Sequence, residues 1–212
     1  MNPLIQHAGE FILSINHRHQ RYAFKEAIRR LLGGVSVLAY SWFLMMAIHE
    51  AGHVIAAIAT GGTVQKIQLQ PLAISKTDVA PNPKPLFVVW AGPLVGALFP
   101  FIVLGILRTQ KAAIWQLALF FAGFCLIANG AYIAAGSFDQ VGDCKVMLKE
   151  GSPMWTLLLF GGIAIPTGFW LWHQIGSFRQ FLLFPHFASV HAAKPSIALL
   201  ILGAIQLAMS FG

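Results

Sequence analysis

The sequence predicts an all-α polytopic membrane protein, with about five transmembrane helices and a short surface strand or hairpin between the first two. Three observations carry that expectation. Apolar side chains make up 57% of the 212 residues and charged ones only 10%, whereas about a quarter of the residues of a soluble domain are charged. Five stretches reach or approach the roughly 20 apolar residues that cross a bilayer: 34–60, 86–107, 113–136, 154–173 and the shorter 195–211. Between the first two, Val64, Ile67, Leu69, Leu72 and Ile74 alternate loosely with polar residues, which is a strand pattern. The same composition excludes a disordered chain, which would be poor in apolar residues and rich in charge. It also argues against a nucleic-acid partner despite the formal charge of +7, because the basic residues are spread over hydrophobic segments and their connections, where they act as topology determinants. The expected surroundings are the lipid bilayer.

Residues 1–33 form an expected interfacial arm, with Leu4, Ile5, Phe11, Ile12, Leu13 and Ile15 followed by Arg18, Arg21, Lys25, Arg29 and Arg30. A signal peptide would carry its positive charge first and its apolar core second, the reverse of this order. Gly33–Gly34, Gly61–Gly62 and Gly161–Gly162 are expected to permit helix ends and close packing rather than to bind phosphate. After the strand, Asp78 to Pro85 reads as a proline-rich turn that cannot continue regular structure. The third and fourth spans are joined by residues 136–153, and the loop 174–194 carries Phe178, Phe181, Leu182, Leu183, Phe184 and Phe187 as a second interfacial segment. In alternate connections, basic residues number nine on the amino-terminal side and five on the other, and the positive-inside rule then puts the amino terminus in the cytoplasm. Two cysteines, Cys125 and Cys144, are too few for a disulfide framework.

The acidic residues are Glu10, Glu26, Glu50, Asp78, Asp139, Asp143 and Glu150. Any that falls within a span has a cost to justify, about 2.5 to 3.5 kcal/mol at mid-membrane on insertion scales. Glu50 is such a residue. It stands in His49-Glu50-Ala51-Gly52-His53, an H-E-x-x-H pattern flanked on both sides by apolar residues. Residues four apart share a helical face, so His49 and His53 can offer two imidazole nitrogens to one Zn²⁺, with Glu50 beside the water that the metal activates. A carboxylate within hydrogen-bond reach can accept a proton from that water and pass it to a leaving amine. Inside a membrane helix the three polar groups would be too costly without a cation or cavity to satisfy them. His17, His19, His173, His186 and His191 sit in the basic arm, at a span end or in the interfacial loop and read as ordinary surface residues.

A catalytic zinc site takes three protein ligands and leaves one position open. Glu10 and Glu26 lie in the basic arm, Asp78 in the proline-rich turn and Glu150 beside Lys149, which leaves Asp139 and Asp143 at the end of the third span.

With these motifs the chain resembles the site-2 protease family of intramembrane zinc metalloproteases, in particular its small, short-core members. His49 to His53 is similar to the family's metal motif. Ala91-Gly92-Pro93-Leu94-Val95-Gly96 resembles the A-G-P turn carried on the helix between the two metal-bearing ones, and Asn129 to Asp143, with Cys144-Lys145-Val146-Met147-Leu148 after it, resembles the third-helix element. In the family that element reads L-D-G with prolines between Asn and Asp; here the candidates are Phe138-Asp139-Gln140 and Gly142-Asp143-Cys144, with no proline in the interval. Spacing from Asn129 favours Asp139. The helical run that follows favours Asp143, which is taken first, although an Asp there is also a natural helix N-cap. The resemblance implies a core of three helices over residues 34–150 with two further spans after it, and a role for Asn129 in hydrogen-bonding the substrate backbone; by position alone Asn129, late in the third span, reads equally as a helix-to-helix hydrogen-bonding residue.

The expected function is therefore that of an intramembrane zinc endopeptidase acting on membrane-protein substrates, with Glu50 as catalytic base, His49, His53 and Asp143 (alternatively Asp139) as zinc ligands, and Asn129 as a substrate contact. The rival expectation is a non-proteolytic membrane protein that keeps the zinc-binding fold, favoured by the altered L-D-G element. A transporter would show polar residues along several spans or an internal repeat, and the sequence has neither.

Overall fold

The computed structural model describes residues 3–70, 75–110 and 114–176, with side chains from residue 19 onward. The expected span 195–211 and all but the first residues of the expected interfacial segment 174–194 lie outside the described residues. Seven elements follow one another: helix α1 (Pro3–Ala59), strands β1 (Val64–Gln68) and β2 (Lys76–Val79), and helices α2 (Pro85–Thr109), α3 (Trp115–Asp139), α4 (Gly142–Lys149) and α5 (Met154–Gln174). Among the described residues, four segments are long and apolar enough to cross a membrane: His19–Ala59, Pro85–Thr109, Trp115–Asp139 and Met154–Gln174. The protein is an integral, multi-pass membrane protein with the expected all-α architecture.

Helix α1 runs through Gly33 and Gly34 without a break. Glycine in a helix interior costs only about 1 kcal/mol, and no proline after Pro3 removes a backbone N–H from α1. The surface strand is a two-stranded antiparallel hairpin, with Ile67 opposite Thr77 and Gln68 opposite Lys76. Its second strand takes in Asp78 and Val79, which the sequence reading had assigned to the proline-rich turn. The first proline after the strand is Pro81, so both residues keep the N–H that a ladder requires, and the hairpin base is closed by Ala80 N–H to Thr63 O at 2.9 Å.

The helices pack where side chains are small. Gly123, Gly130, Gly161 and Gly168 let α3 and α5 approach so closely that a Cβ on Gly168 would stand 2.7 Å from Gly123 O, as in small-residue membrane interfaces. On the lipid side, Phe87, Leu98, Ile102, Leu159, Ile163, Phe169 and Trp170 are exposed, which in a bilayer is burial rather than loss. Helix α4 is short and amphipathic. Cys144 and Met147 are fully buried in a cluster with Val89, Ile133 and Leu157, and this anchor fixes which way the rest of α4 faces.

Candidate metal centre

His49, Glu50 and His53 lie on the buried part of α1, at 6%, 4% and 6% exposure. They are buried because α2 crosses them without side chains in the way. A Cβ on Gly92 would fall 2.8 Å from His49 Nε2 and nearer still to the His53 ring, and one on Gly96 would meet the Asn129 amide at 2.9 Å. On the α1 side, Gly52 faces Ala91 and Gly92 with equally little room. The Ala91-Gly92-Pro93-Leu94-Val95-Gly96 run is thus the face against which the two histidines pack.

The turn between α3 and α4 brings in the third group. Gln140 ends α3 in the left-handed conformation at φ 51°, and Gly142 opens α4, also at φ 51°. A side chain at Gly142 would be disfavoured by its backbone conformation and would run into the Tyr132 hydroxyl. The chain turns back so sharply that Asp143, in the first turn of α4, points at α1. Its carboxylate does not cap the helix: the N-cap is Val141 and carries no side-chain cap bond. Instead Asp143 Oδ2 stands 2.9 Å from His49 Nε2 and 3.3 Å from His53 Nε2, and its N–H donates to the Tyr132 hydroxyl at 3.0 Å. Asp139 is exposed at the end of α3, and the described group of His, Cys, Asp and Glu side chains close enough to share an ion is His49, His53 and Asp143.

The remaining ring nitrogens determine how the imidazoles are presented. His53 Nδ1 is 2.8 Å from Val88 O; a carbonyl only accepts, so Nδ1 carries the proton. His49 Nδ1 is 2.7 Å from Asn129 Oδ1, while Asn129 Nδ2 donates to Cys125 O at 2.8 Å, which fixes the amide orientation and makes this Nδ1 a donor too. Both Nε2 atoms are left to face Asp143. With Nδ1 committed, each imidazole could bond to the carboxylate only as an imidazolium, and the two rings are 5.0 Å apart. A shared cation removes that conflict, since two Nε2 lone pairs and a carboxylate oxygen are a zinc donor set, and ligands about 2.0 to 2.2 Å from a tetrahedral ion stand roughly 3.4 Å from one another. The residues present fit a zinc ion. Burial alone would push the Asp143 carboxyl up, but the bonds to His49 and His53 outweigh it and hold the group below the usual carboxylate range.

Asn129, expected either as a substrate contact or as a helix-to-helix bonding residue, bridges α3 to α1. It is 1% exposed and both ends of its amide are taken by His49 and Cys125, because it lies deep on the face of α3 that meets α1. Three contributors were not anticipated. The Val88 carbonyl carries no residue-type signal. Tyr132 was marked only by its spacing, one turn after Asn129 on the same face of α3. Thr77 of β2 donates its hydroxyl to Glu50 Oε2 at 2.6 Å; the alternation Ser75, Thr77, Val79 inward and Lys76, Asp78 outward was its sign. An apolar cavity of about 580 Å³, lined among others by Tyr40, Leu44, Met46, Leu117 and Phe121, begins one turn before His49 and Glu50 on α1.

Among the described residues, four apolar helices and a group of two buried histidines and an aspartate that could hold a metal ion define a polytopic membrane protein with a candidate metal site. A family model described as Peptidase M50B-like matches residues 28–135, and the chain belongs to this family, a site-2 protease family. The matched region holds His49, Glu50, His53, Gly92, Asn129 and Tyr132 and stops short of Asp143. No curated protein and no solved structure matches the chain.

Proposed function

We propose that this protein is an intramembrane zinc endopeptidase. The single observation that carries the reading is the convergence of His49 Nε2 and His53 Nε2 on Asp143 Oδ2, within the same buried cluster as Glu50. In this reading His49, His53 and Asp143 hold the metal. When bound, zinc supplies Lewis acidity, polarising the scissile carbonyl and making a coordinated water acidic.

The chain's own residues do the rest. Glu50 accepts the proton of the attacking water and delivers it to the leaving amine. Asn129 and the Val88 carbonyl fix the tautomer and tilt of the two imidazoles. The substrate is a membrane-embedded protein segment that unwinds locally, because a helical peptide bond is shielded from attack, and the β1–β2 hairpin holds it in extended form by strand addition. The apolar cavity beside Met46 matches the side chains of such a segment. Residues 34–150 act as the catalytic core, with residues 1–33 as its interfacial arm and residues 151–212 as a further membrane-spanning part.

The test uses the purified full-length protein. It should hold about one zinc, Glu50→Gln should keep that zinc and lose cleavage of a membrane substrate, and His49→Ala should lose both. Normal cleavage by the Glu50→Gln variant would sink the protease reading, and a Glu50-independent cellular role with zinc retained would favour the non-proteolytic alternative.

A further inference from the structure

We propose that Thr77 is a positioning residue for Glu50, so that the surface hairpin holds the orientation of the catalytic carboxylate; the inference rests on the function proposed above. A carboxylate has two oxygens, and here they are not equivalent. Oε2 accepts the Thr77 hydroxyl at 2.6 Å, at the short end of the O–H···O range as befits a charge-assisted bond. Oε1 has no donor among the described residues, and it is not among their enclosed, unpartnered polar atoms. One oxygen is tied to the hairpin; the other takes no hydrogen bond from the described residues and is the one left for a proton.

The anchor is itself held. Ile67 pairs with Thr77 across the hairpin. On one side of Thr77, Ser75 is buried against α1 with its hydroxyl 3.4 Å from Met46 Sδ. On the other, Val79 packs against the cluster of Ala56, Ala57 and Val88. The hairpin therefore meets α1 one turn before Glu50, at Glu50 and beyond it, and the Thr77 hydroxyl cannot drift without the strand leaving the helix. A glutamate has three side-chain torsions, and a donor fixed in this way removes the freedom that would otherwise blur the direction of its free oxygen.

The proton bookkeeping is simple. Water gives its proton to Oε1, the O–H electron pair stays on the attacking oxygen, and Thr77 keeps its hydroxyl proton throughout. Because the same hairpin presents the strand edge, seating of an extended segment on it bears directly on the element that aims the base.

The experiment measures binding of acetohydroxamic acid to the purified, zinc-loaded protein, in wild type, Thr77→Val, Thr77→Ser, Glu50→Gln and the Glu50→Gln/Thr77→Val double variant. A hydroxamate on the metal gives its acidic proton to a correctly aimed carboxylate, so its affinity reads the aim without any substrate. Thr77→Val should weaken binding about tenfold with zinc content unchanged, Thr77→Ser should stay within twofold of wild type, and in the Glu50→Gln background Thr77→Val should have no further effect. Wild-type affinity in Thr77→Val, or an equal loss in the Glu50→Gln background, overturns the inference. If Thr77→Val does not yield folded protein, Thr77→Ala takes its place, and a tenfold loss in Thr77→Ser overturns the inference by itself. A wild-type protein that holds no zinc, or whose affinity ignores Glu50→Gln, overturns the proposed function instead.

Discussion

Asn129 Oδ1 stands 2.7 Å from His49 Nδ1, and the other end of the same amide is fixed to Cys125 O. The asparagine thus dictates which nitrogen of His49 faces Asp143. Removing such a partner typically lowers metal affinity by about 10- to 100-fold. Asn129→Ala should weaken zinc binding within that range in a competitive chelator titration, while Asn129→Asp, which keeps the acceptor, should bind at least as tightly as wild type. Equal affinity in Asn129→Ala would show that the bond to His49 is incidental and return Asn129 to the role of a substrate contact.

Much of this was legible in the sequence because charge is so scarce. Glu50 and its two histidines stand out against an apolar span, and their spacing specifies a shared helical face without reference to any other element. Asp143 was harder. Spacing from Asn129 points to Asp139 and the helical run that follows points to Asp143, and what brings Asp143 to the histidines is the left-handed turn at Gln140 and Gly142 together with the anchoring of Cys144 and Met147, a tertiary arrangement that periodicity does not carry. Whether α1 continues through Gly33 and Gly34 was not legible, because glycine lowers helix propensity without forbidding the helix. The Val88 carbonyl was invisible because it is backbone, and Thr77 was marked only by the strand alternation that turns it inward, which says nothing of its bond to Glu50.

The two aspartates can be separated by direct measurement. Asp143→Asn removes the charge that His49 and His53 share and should leave the purified protein with little zinc by elemental analysis. Asp139→Asn alters an exposed helix end and should leave about one zinc per chain. The opposite pattern would move the third ligand to Asp139.

Gly92 is the position where the helix packing and the site coincide. A methyl group there would collide with both imidazoles, so Gly92→Ala should lose zinc even though Ala is the better helix former by about 1 kcal/mol. Gly105 lies on the same helix with open space around it, and Gly105→Ala should be neutral or slightly stabilising. The comparison is read from zinc content and thermal unfolding of the two variants in detergent; similar behaviour of the pair would mean that α2 does not hold the histidines as closely as described.

Cys144 tests whether the thiol next to Asp143 belongs to the site. Its Sγ lies 3.4 Å from Ile133 O outside the group of His49, His53 and Asp143 that could share an ion, and burial with the neighbouring Asp143 charge pushes the thiol up to about 11. A raised value means that the folded protein keeps the proton where an unfolded chain begins to lose it, so the stability this group contributes is complete at neutral pH and declines as pH rises through the window ending near 11. At pH 8.5 iodoacetamide should therefore alkylate Cys144 in denaturant and leave it unmodified in the folded protein, as read by peptide mass spectrometry. Cys144→Ala should keep about one zinc, because the sulfur is packed as a small apolar group and donates no ligand. Rapid alkylation of the folded protein, with zinc released in step, would instead make the thiolate part of the centre.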